Sequence, residues 1–145
     1  MTSRRELIIR DIVDTLKNQQ KVRFGTVTRD PGIAIEDLAN TAFPAVVVAS
    51  GSETRESITQ MGASQRRQAT MNVNITVWVN SNSRADSLRN ELIESIEELL
   101  DVDPTRGGEA FDTQLIEIEP GDDTAPYSSM ELVFAIPYVY TKGNP

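Results

Sequence analysis

A regular alternation of apolar and polar residues between positions 68 and 79 constrains this sequence more than any other feature. Every second residue is apolar, and the residues between them are mostly polar. The apolar set is Ala69, Met71, Val73, Ile75, Val77 and Val79, and the intervening set is Gln68, Thr70, Asn72, Asn74, Thr76 and Trp78. This period of two predicts a long β-strand with one buried face and one polar face. The chain must therefore build a sheet and also supply a layer that covers one side of it.

Two segments with helical periodicity can supply that layer. The first, residues 3–20, begins with Ser3 and Glu6 at the spacing of a capping box. The second covers residues 84–101 and is followed by Pro104, which favours a helix end. Their apolar stripes are Leu7, Ile8, Ile12, Val13 and Leu16 in the first, and Leu88, Leu92, Ile93, Ile96, Leu99 and Leu100 in the second. We expect both helices to pack on the same face of the sheet.

The remaining segments complete an α+β pattern. Further strands are predicted at residues 22–29, 45–49, 113–119 and 128–140. Residues 51–68 are almost all polar and predict a long extended arm between the second and third strands, and residues 141–145 predict a tail. The order is α-β-β-β-α-β-β. The predicted fold is a single domain over residues 1–145, with one mostly antiparallel sheet of about five strands and two helices on one face.

Two features of the strands predict where the sheet is incomplete. Pro137 lies inside the last predicted strand, and proline cannot donate a backbone hydrogen bond. We therefore expect Pro137 at an edge or a bulge. With both helices on one face, the second face, including Trp78, is left without an internal cover.

The composition excludes several classes of catalytic and metal site. The 145 residues include no Cys and no His, so thiol nucleophiles, histidine bases and metal sites built from these ligands are excluded. Asp101 and Asp103 lack the Gly and Glu spacing of a calcium loop, and Asp122 and Asp123 lie in a predicted turn. We predict no enzyme activity and no catalytic, metal or cofactor-binding residues. No apolar run is long enough to span a membrane.

The charges are divided unevenly along the chain, which has a net charge of −8. Residues 1–29 hold seven basic and three acidic side chains, whereas residues 86–131 hold two basic and fourteen acidic ones. One interpretation is that the acidic part, including Glu94 and Glu98, is a solvated helix face. The other is that it meets a basic surface of another copy in a head-to-tail contact that closes into a ring. An acidic chain is also a poor candidate for binding nucleic acid.

The order and spacing of these features resemble one protein family. The matching parts are the first helix, the short buried strand, the polar arm before the alternating strand, the second helix, the turn that follows it and the closing strand with alternating aromatic residues. They occupy residues 4–20, 43–48, 51–79, 87–97, 103–108 and 128–140. Together they resemble the tail terminator, or tail completion, proteins of long-tailed bacteriophages, the group that includes the terminator of phage lambda.

The resemblance implies a structural protein of the virion. Proteins of this family form a hexameric ring on the last ring of the tail tube, stop tube growth and present the surface to which the head docks. The implied partners are other copies of the chain, the tail tube protein, the head–tail connector or neck protein, and the sheath protein where the tail is contractile. DNA passes through such a ring without sequence-specific binding, and no membrane is involved. The implied location is the neck of the virion, after assembly in the host cytoplasm.

The resemblance also implies which residues make contacts between subunits and with the tube, because arm regions do so in this family. The candidate interface residues are Arg55, Gln60, Met61, Arg66, Arg67, Trp78, Glu94 and Glu98. Two alternatives remain open. One is another neck, head–tail joining or head-completion protein. The other is a soluble ferredoxin-like ligand-binding domain, which would need a pocket with converging polar groups.

Overall fold

The computed structural model describes residues 2–19, 22–30, 32, 34–58, 65–141 and 143–145. In chain order the elements are α1 (Arg4–Asn18), β1 (Thr26–Thr28), two single-turn 3-10 helices (Ile35–Asp37 and Asn40–Ala42), β2 (Ala45–Ser57), β3 (Arg66–Asn80), α2 (Ala85–Asp101), β4 (Gln114–Thr124) and β5 (Tyr127–Thr141). The predicted α+β class, with one five-stranded sheet and two helices, is confirmed.

The five strands form one mixed sheet in the spatial order β1-β2-β3-β5-β4. β1 is parallel to β2, and the other three neighbouring pairs are antiparallel. A parallel pair requires a crossover between its strands, and the described residues between β1 and β2, which include both 3-10 helices, belong to it. This crossover places the buried Ile35 beside Val47 and Trp78. The second face of the sheet, which we expected to have no internal cover, is therefore partly covered at this end.

The hydrophobic core lies between the two helices and one face of the sheet. The apolar residues of β3 that alternate along the strand are all buried there. The helical contribution comes from Ile8, Ile9, Ile12, Val13 and Leu16 on α1 and from Leu92, Ile93, Ile96 and Leu100 on α2. Each such side chain contributes about 1.5–3 kcal/mol when fully buried. Among the described residues, no helix has the length and apolar character needed to cross a membrane.

The predicted polar arm is largely the outer part of a β-hairpin. β2 continues to Ser57 and β3 begins at Arg66, so much of the segment 51–68 consists of paired strands. A register shift between Ser50 and Glu53 marks a bulge in β2. β5 runs beside β3 along this whole extension. Polar residues can pair in this way because the ladder satisfies their backbone groups without requiring an apolar period.

Pro137 lies where β5 has no neighbour on its β4 side, as its sequence position predicts. β4 begins opposite Ala135, and the carbonyl of Pro137 accepts a 2.8 Å hydrogen bond from the backbone of Phe111 instead. β4 itself is longer than predicted and continues to Thr124 with two register shifts. As a result Asp122 and Asp123 lie in an edge strand, and the prediction that they form a turn is wrong.

Arg106 joins the C-terminal end of α2 to α1. Its side chain is fully buried and forms an ion pair of 3.1 Å with Asp11 of α1. The same guanidinium donates to the carbonyl oxygens of Leu100 and Asp103, which satisfies acceptors left unpaired at a helix end. Burial raises the pKa of Asp11, and the charge of Arg106 offsets only part of that effect. This arginine therefore has a structural role that the sequence did not reveal.

Candidate interaction surfaces

Five polar and aromatic side chains meet on the helix-facing side of the hairpin. We define the hairpin cluster as Arg5 on α1, Glu53 and Arg55 on β2, and Tyr138 and Tyr140 on β5. Glu53 Oε1 accepts hydrogen bonds from Arg5 and from the Tyr138 hydroxyl, each of 2.8 Å, and Oε2 accepts from Arg55 Nε. Arg55 also donates to the Tyr140 hydroxyl at 3.2 Å and lies 4.9 Å from the centroid of its ring. The cluster thus links three elements at the base of the hairpin.

The contacts within the hairpin cluster favour the charged form of Glu53 and the neutral form of Tyr138. Burial by itself raises the pKa of Glu53, but hydrogen bonds from Arg55, Tyr138 and Arg5 outweigh it, so the pKa of Glu53 is lowered. Burial and the hydrogen bond to Glu53 raise the pKa of Tyr138 to about 12. Because these groups do not titrate near neutral pH, the arrangement suits a rigid brace better than proton transfer.

The end of the hairpin carries two consecutive cations, Arg66 and Arg67. Arg66 is exposed and Arg67 is half-buried. The guanidinium of Arg67 donates to the amide oxygen of Gln65 at 3.4 Å, a neutral acceptor, and among the described residues no carboxylate forms an ion pair with this arginine. Gln60 and Met61, the other arm residues predicted to make contacts, lie outside the described residues.

The predicted interface residues do not form one site. Arg55 belongs to the hairpin cluster and is already paired within the chain. Trp78 follows Arg67 by eleven residues on β3, a separation of roughly 36 Å at about 3.3 Å per strand residue. Glu94 and Glu98 are exposed on α2, which packs against the opposite face of the sheet from Trp78. The structure therefore divides the predicted set among three separate surfaces.

Trp78 lines an open groove on the second face of the sheet. The groove has a volume of about 460 Å³. We define this Trp78 groove by its lining residues Ile35, Glu36, Trp78, Asp122, Thr124, Ala125 and Tyr127. A second cavity of about 280 Å³ shares Ile35 and Trp78 with it and extends to Glu131. Tyr127 is held against Phe43, with ring centroids 5.8 Å apart. The crossover, β3 and the β4–β5 hairpin thus build one aromatic depression.

Two carboxylates line the Trp78 groove, Glu36 and Asp122, and a third, Glu131, lines the adjoining cavity. In the part of the chain that the structure describes, no arginine or lysine forms an ion pair with any of them. An aromatic face beside uncompensated carboxylates is suited to holding a guanidinium or ammonium group. Sequence reasoning missed Glu36 and Asp122, since they come from an irregular segment and from a strand interpreted as a turn.

The negative surface continues along the edge strand β4. Glu119 lies opposite Glu131 across the β4–β5 pair. The pKa of Glu117 is raised by a hydrogen bond shared with Glu119 and by the like charges of Glu119 and Glu131. Ile116 and Ile118 are about half exposed on the same strand. This edge therefore combines crowded carboxylates with exposed apolar side chains.

The acidic face of α2 has a different character. Glu94 and Glu98 are exposed on a convex helix surface, and Glu91 on the same helix forms an ion pair of 3.6 Å with Arg84. At the end of α2, the carboxylate of Asp103 accepts hydrogen bonds from backbone groups of the following turn. Among the described residues, no group of acidic side chains is arranged to hold a metal ion.

Comparisons of the sequence with protein-family models and with curated proteins give no match. The family resemblance therefore rests on the order and spacing of sequence features. The structure adds two surfaces of opposite charge, the hairpin end and the Trp78 groove, at the two ends of β3.

Proposed function

We propose that this chain is a structural protein of the neck of a long-tailed bacteriophage, a tail terminator that assembles as a ring of six copies on the end of the tail tube. The sequence resemblance supports this assignment. The observation that carries it is the separation of charge along β3, with arginines at the hairpin end and carboxylates around Trp78.

That separation favours contacts between copies over contacts within one copy. Arg67 and Trp78 lie on one rigid strand, and roughly 36 Å of extended chain separates them at about 3.3 Å per residue. A contact between two different surfaces of identical chains is head-to-tail, and it produces a ring when the rotation between copies closes. A ring is the form in which a tail terminator acts.

In the proposed assembly, one face of the ring binds the last ring of tail tube protein and prevents further addition. The other face binds the head–tail connector, and the sheath protein contacts the ring where the tail is contractile. Six copies with a net charge of −8 each give a ring with a formal charge of −48. Where part of that charge lines the bore of the ring, it repels DNA phosphates, so DNA can pass through without being retained.

Electron microscopy of particles made without this gene tests the proposal. We expect abnormally long tail tubes beside separate, filled heads, because tube growth is no longer stopped. A plasmid copy of the wild-type gene should restore normal tails.

Two other outcomes would contradict the proposal. Tails of normal length beside leaking or unjoined heads would indicate a different neck or head-completion protein. Intact, infectious particles would exclude a required structural role and would favour the ligand-binding alternative.

A further inference from the structure

We infer that the Trp78 groove receives the hairpin end of a neighbouring copy, with Arg67 placed against the Trp78 ring and between the carboxylates of Glu36, Asp122 and Glu131. This inference rests on the proposed ring, and it names the two surfaces that join one subunit to the next. It selects the groove over the acidic face of α2 as the acceptor of the hairpin arginines.

The groove brings an aromatic ring and carboxylates together in one depression, which suits the binding of a guanidinium group. Its walls are apolar where Ile35, Ala125 and Tyr127 line it, and its volume of about 460 Å³ lies in the range of about 300–1,000 Å³ typical of binding sites. An arginine can stack on the indole of Trp78 while its N–H groups reach carboxylates at the rim. The three rim carboxylates have no cationic partner among the described residues.

The choice of occupant follows from the other arginines of the chain. Eight of the eleven arginines form ion pairs with carboxylates of the same chain: Arg4, Arg5, Arg10, Arg29, Arg55, Arg84, Arg89 and Arg106. Arg23 forms none among the described residues, but it lies between α1 and β1 and not on the hairpin. Arg67 instead has an amide oxygen as its partner. It also lies on a hairpin whose β2 side is exposed from Thr54 to Ile58, so this part of the hairpin is accessible to another copy.

The face of α2 is the weaker acceptor. Glu94 and Glu98 are exposed on a convex surface, where an ion pair contributes little because water screens it. Two carboxylates at the groove, Glu36 and Asp122, are exposed as well, but the groove adds the half-buried ring of Trp78 and the half-buried carboxylate of Glu131 to the charge contact. A cysteine placed on the hairpin can therefore distinguish the two acceptors, because it should cross-link to the Trp78 groove and not to the acidic face of α2.

The absence of cysteine from the sequence makes disulfide trapping a direct test. Ser57 lies opposite Arg67 on the hairpin, and Thr124 lines the groove. We would mix full-length Ser57→Cys with full-length Thr124→Cys at high concentration under mild oxidation, with a tag on one of them to identify the heterodimer. The matched comparison mixes Ser57→Cys with Asn90→Cys, which is exposed on α2 one turn before Glu94.

We expect roughly tenfold more heterodimer from the groove pair than from the α2 pair, given the strength of close charge contacts. Adding Arg67→Glu to the Ser57→Cys chain should remove most of that excess, whereas Arg67→Lys should retain part of it. Trp78 is the only tryptophan, so its fluorescence should change in the trapped heterodimer and return to the monomer value on reduction.

Equal yields from the two pairs, or a larger yield from the α2 pair, would overturn the inference. An excess that persists with Arg67→Glu would overturn the role of the arginine. These results are separable from the proposed function. If the gene deletion gives long tails but no groove cross-link forms, the chain is a tail terminator whose subunits join through a different contact. If the groove cross-link forms but the deletion gives normal virions, the subunit contact is supported and the proposed function is rejected.

Discussion

The hydroxyl of Tyr138 donates a hydrogen bond of 2.8 Å to the carboxylate of Glu53, 85 residues earlier in the chain. The same carboxylate oxygen accepts a hydrogen bond from Arg5 at 2.8 Å. One acceptor on β2 therefore holds β5 and α1 together where the hairpin leaves the body of the protein. We expect this contact to help set the direction of the hairpin, and with it the position of Arg67.

Replacing Glu53 by glutamine should destabilise the protein, because three donors share its charge. The amide cannot neutralise Arg5 and Arg55, and one of its polar atoms is a donor facing other donors. We expect a loss of about 1–3 kcal/mol in the free energy of unfolding, measured with urea. The matched control is Glu56→Gln, which changes an exposed residue three positions along the same strand. It should change the free energy of unfolding by less than about 0.5 kcal/mol. Equal losses in the two variants would show that the hairpin cluster adds no stability.

Tyr138 should make the protein sensitive to alkaline pH. Its pKa is raised from 10.0 to about 12 in the folded state by burial and by Glu53. Folding thus favours the neutral tyrosine. Its contribution to the free energy of unfolding is fully present below pH 10 and is lost as the pH rises toward 12. Unfolding measured at several pH values should show this decline, and Tyr138→Phe should flatten it. Tyr127→Phe, which lies away from Glu53, should keep the wild-type slope; a flattened slope there would contradict the assignment.

Periodic parts of the fold were predictable from sequence because burial imposes the period. The alternation ending at Val79 identifies β3, and the stripes containing Ile12 and Ile96 identify the two helices. The outer hairpin was not predictable as strand. Its residues pair through the backbone while their side chains are exposed, so no apolar period marks them. β4 was predicted too short for the same reason, since Pro120 and Asp122 are typical of turns but lie in an exposed edge strand.

The candidate surfaces were predictable only in part. Trp78 and the hairpin arginines stand out in the sequence, but their separation along β3 depends on how far that strand extends. The groove joins Ile35, Trp78 and Asp122, which come from three distant parts of the chain. Only the crossover between β1 and β2 and the length of β4 bring them together, and neither has a local sequence signal.

Arg106 should be one of the most costly positions to truncate. Its side chain is fully buried and pairs with Asp11, so Arg106→Ala leaves a partly buried carboxylate and two carbonyl groups without a donor. We expect a loss of about 3–5 kcal/mol in the free energy of unfolding. The control is Arg84→Ala, which breaks an exposed ion pair with Glu91 and should cost no more than about 1 kcal/mol. A small effect for Arg106→Ala would show that water replaces the guanidinium at low cost.

Ile75→Asp should prevent folding. Ile75 is fully buried on the core face of β3, and an unpaired carboxylate there costs several kcal/mol of free energy. The neighbouring Asn74 faces the other side of the same strand and is half-buried, so Asn74→Asp should remain folded. Circular dichroism of the two purified variants checks this. A folded Ile75→Asp protein would contradict the register of β3 against the helices.

Charge reversal of both Arg66 and Arg67 to glutamate should separate assembly from folding. Arg66 is exposed and Arg67 is half-buried near the end of the hairpin, so the melting temperature should change little, as expected for surface substitutions of less than about 0.5 kcal/mol. Assembly should weaken, because the reversed charges repel the carboxylates that we propose they meet. In a virus lacking the gene, a plasmid copy with both substitutions should therefore leave long tails, whereas a copy with both arginines replaced by lysine should shorten them. If the double glutamate variant melts at as low a temperature as Arg106→Ala, the two arginines belong to the folded core instead. If the double glutamate variant gives normal tails, the charge of these arginines has no part in assembly.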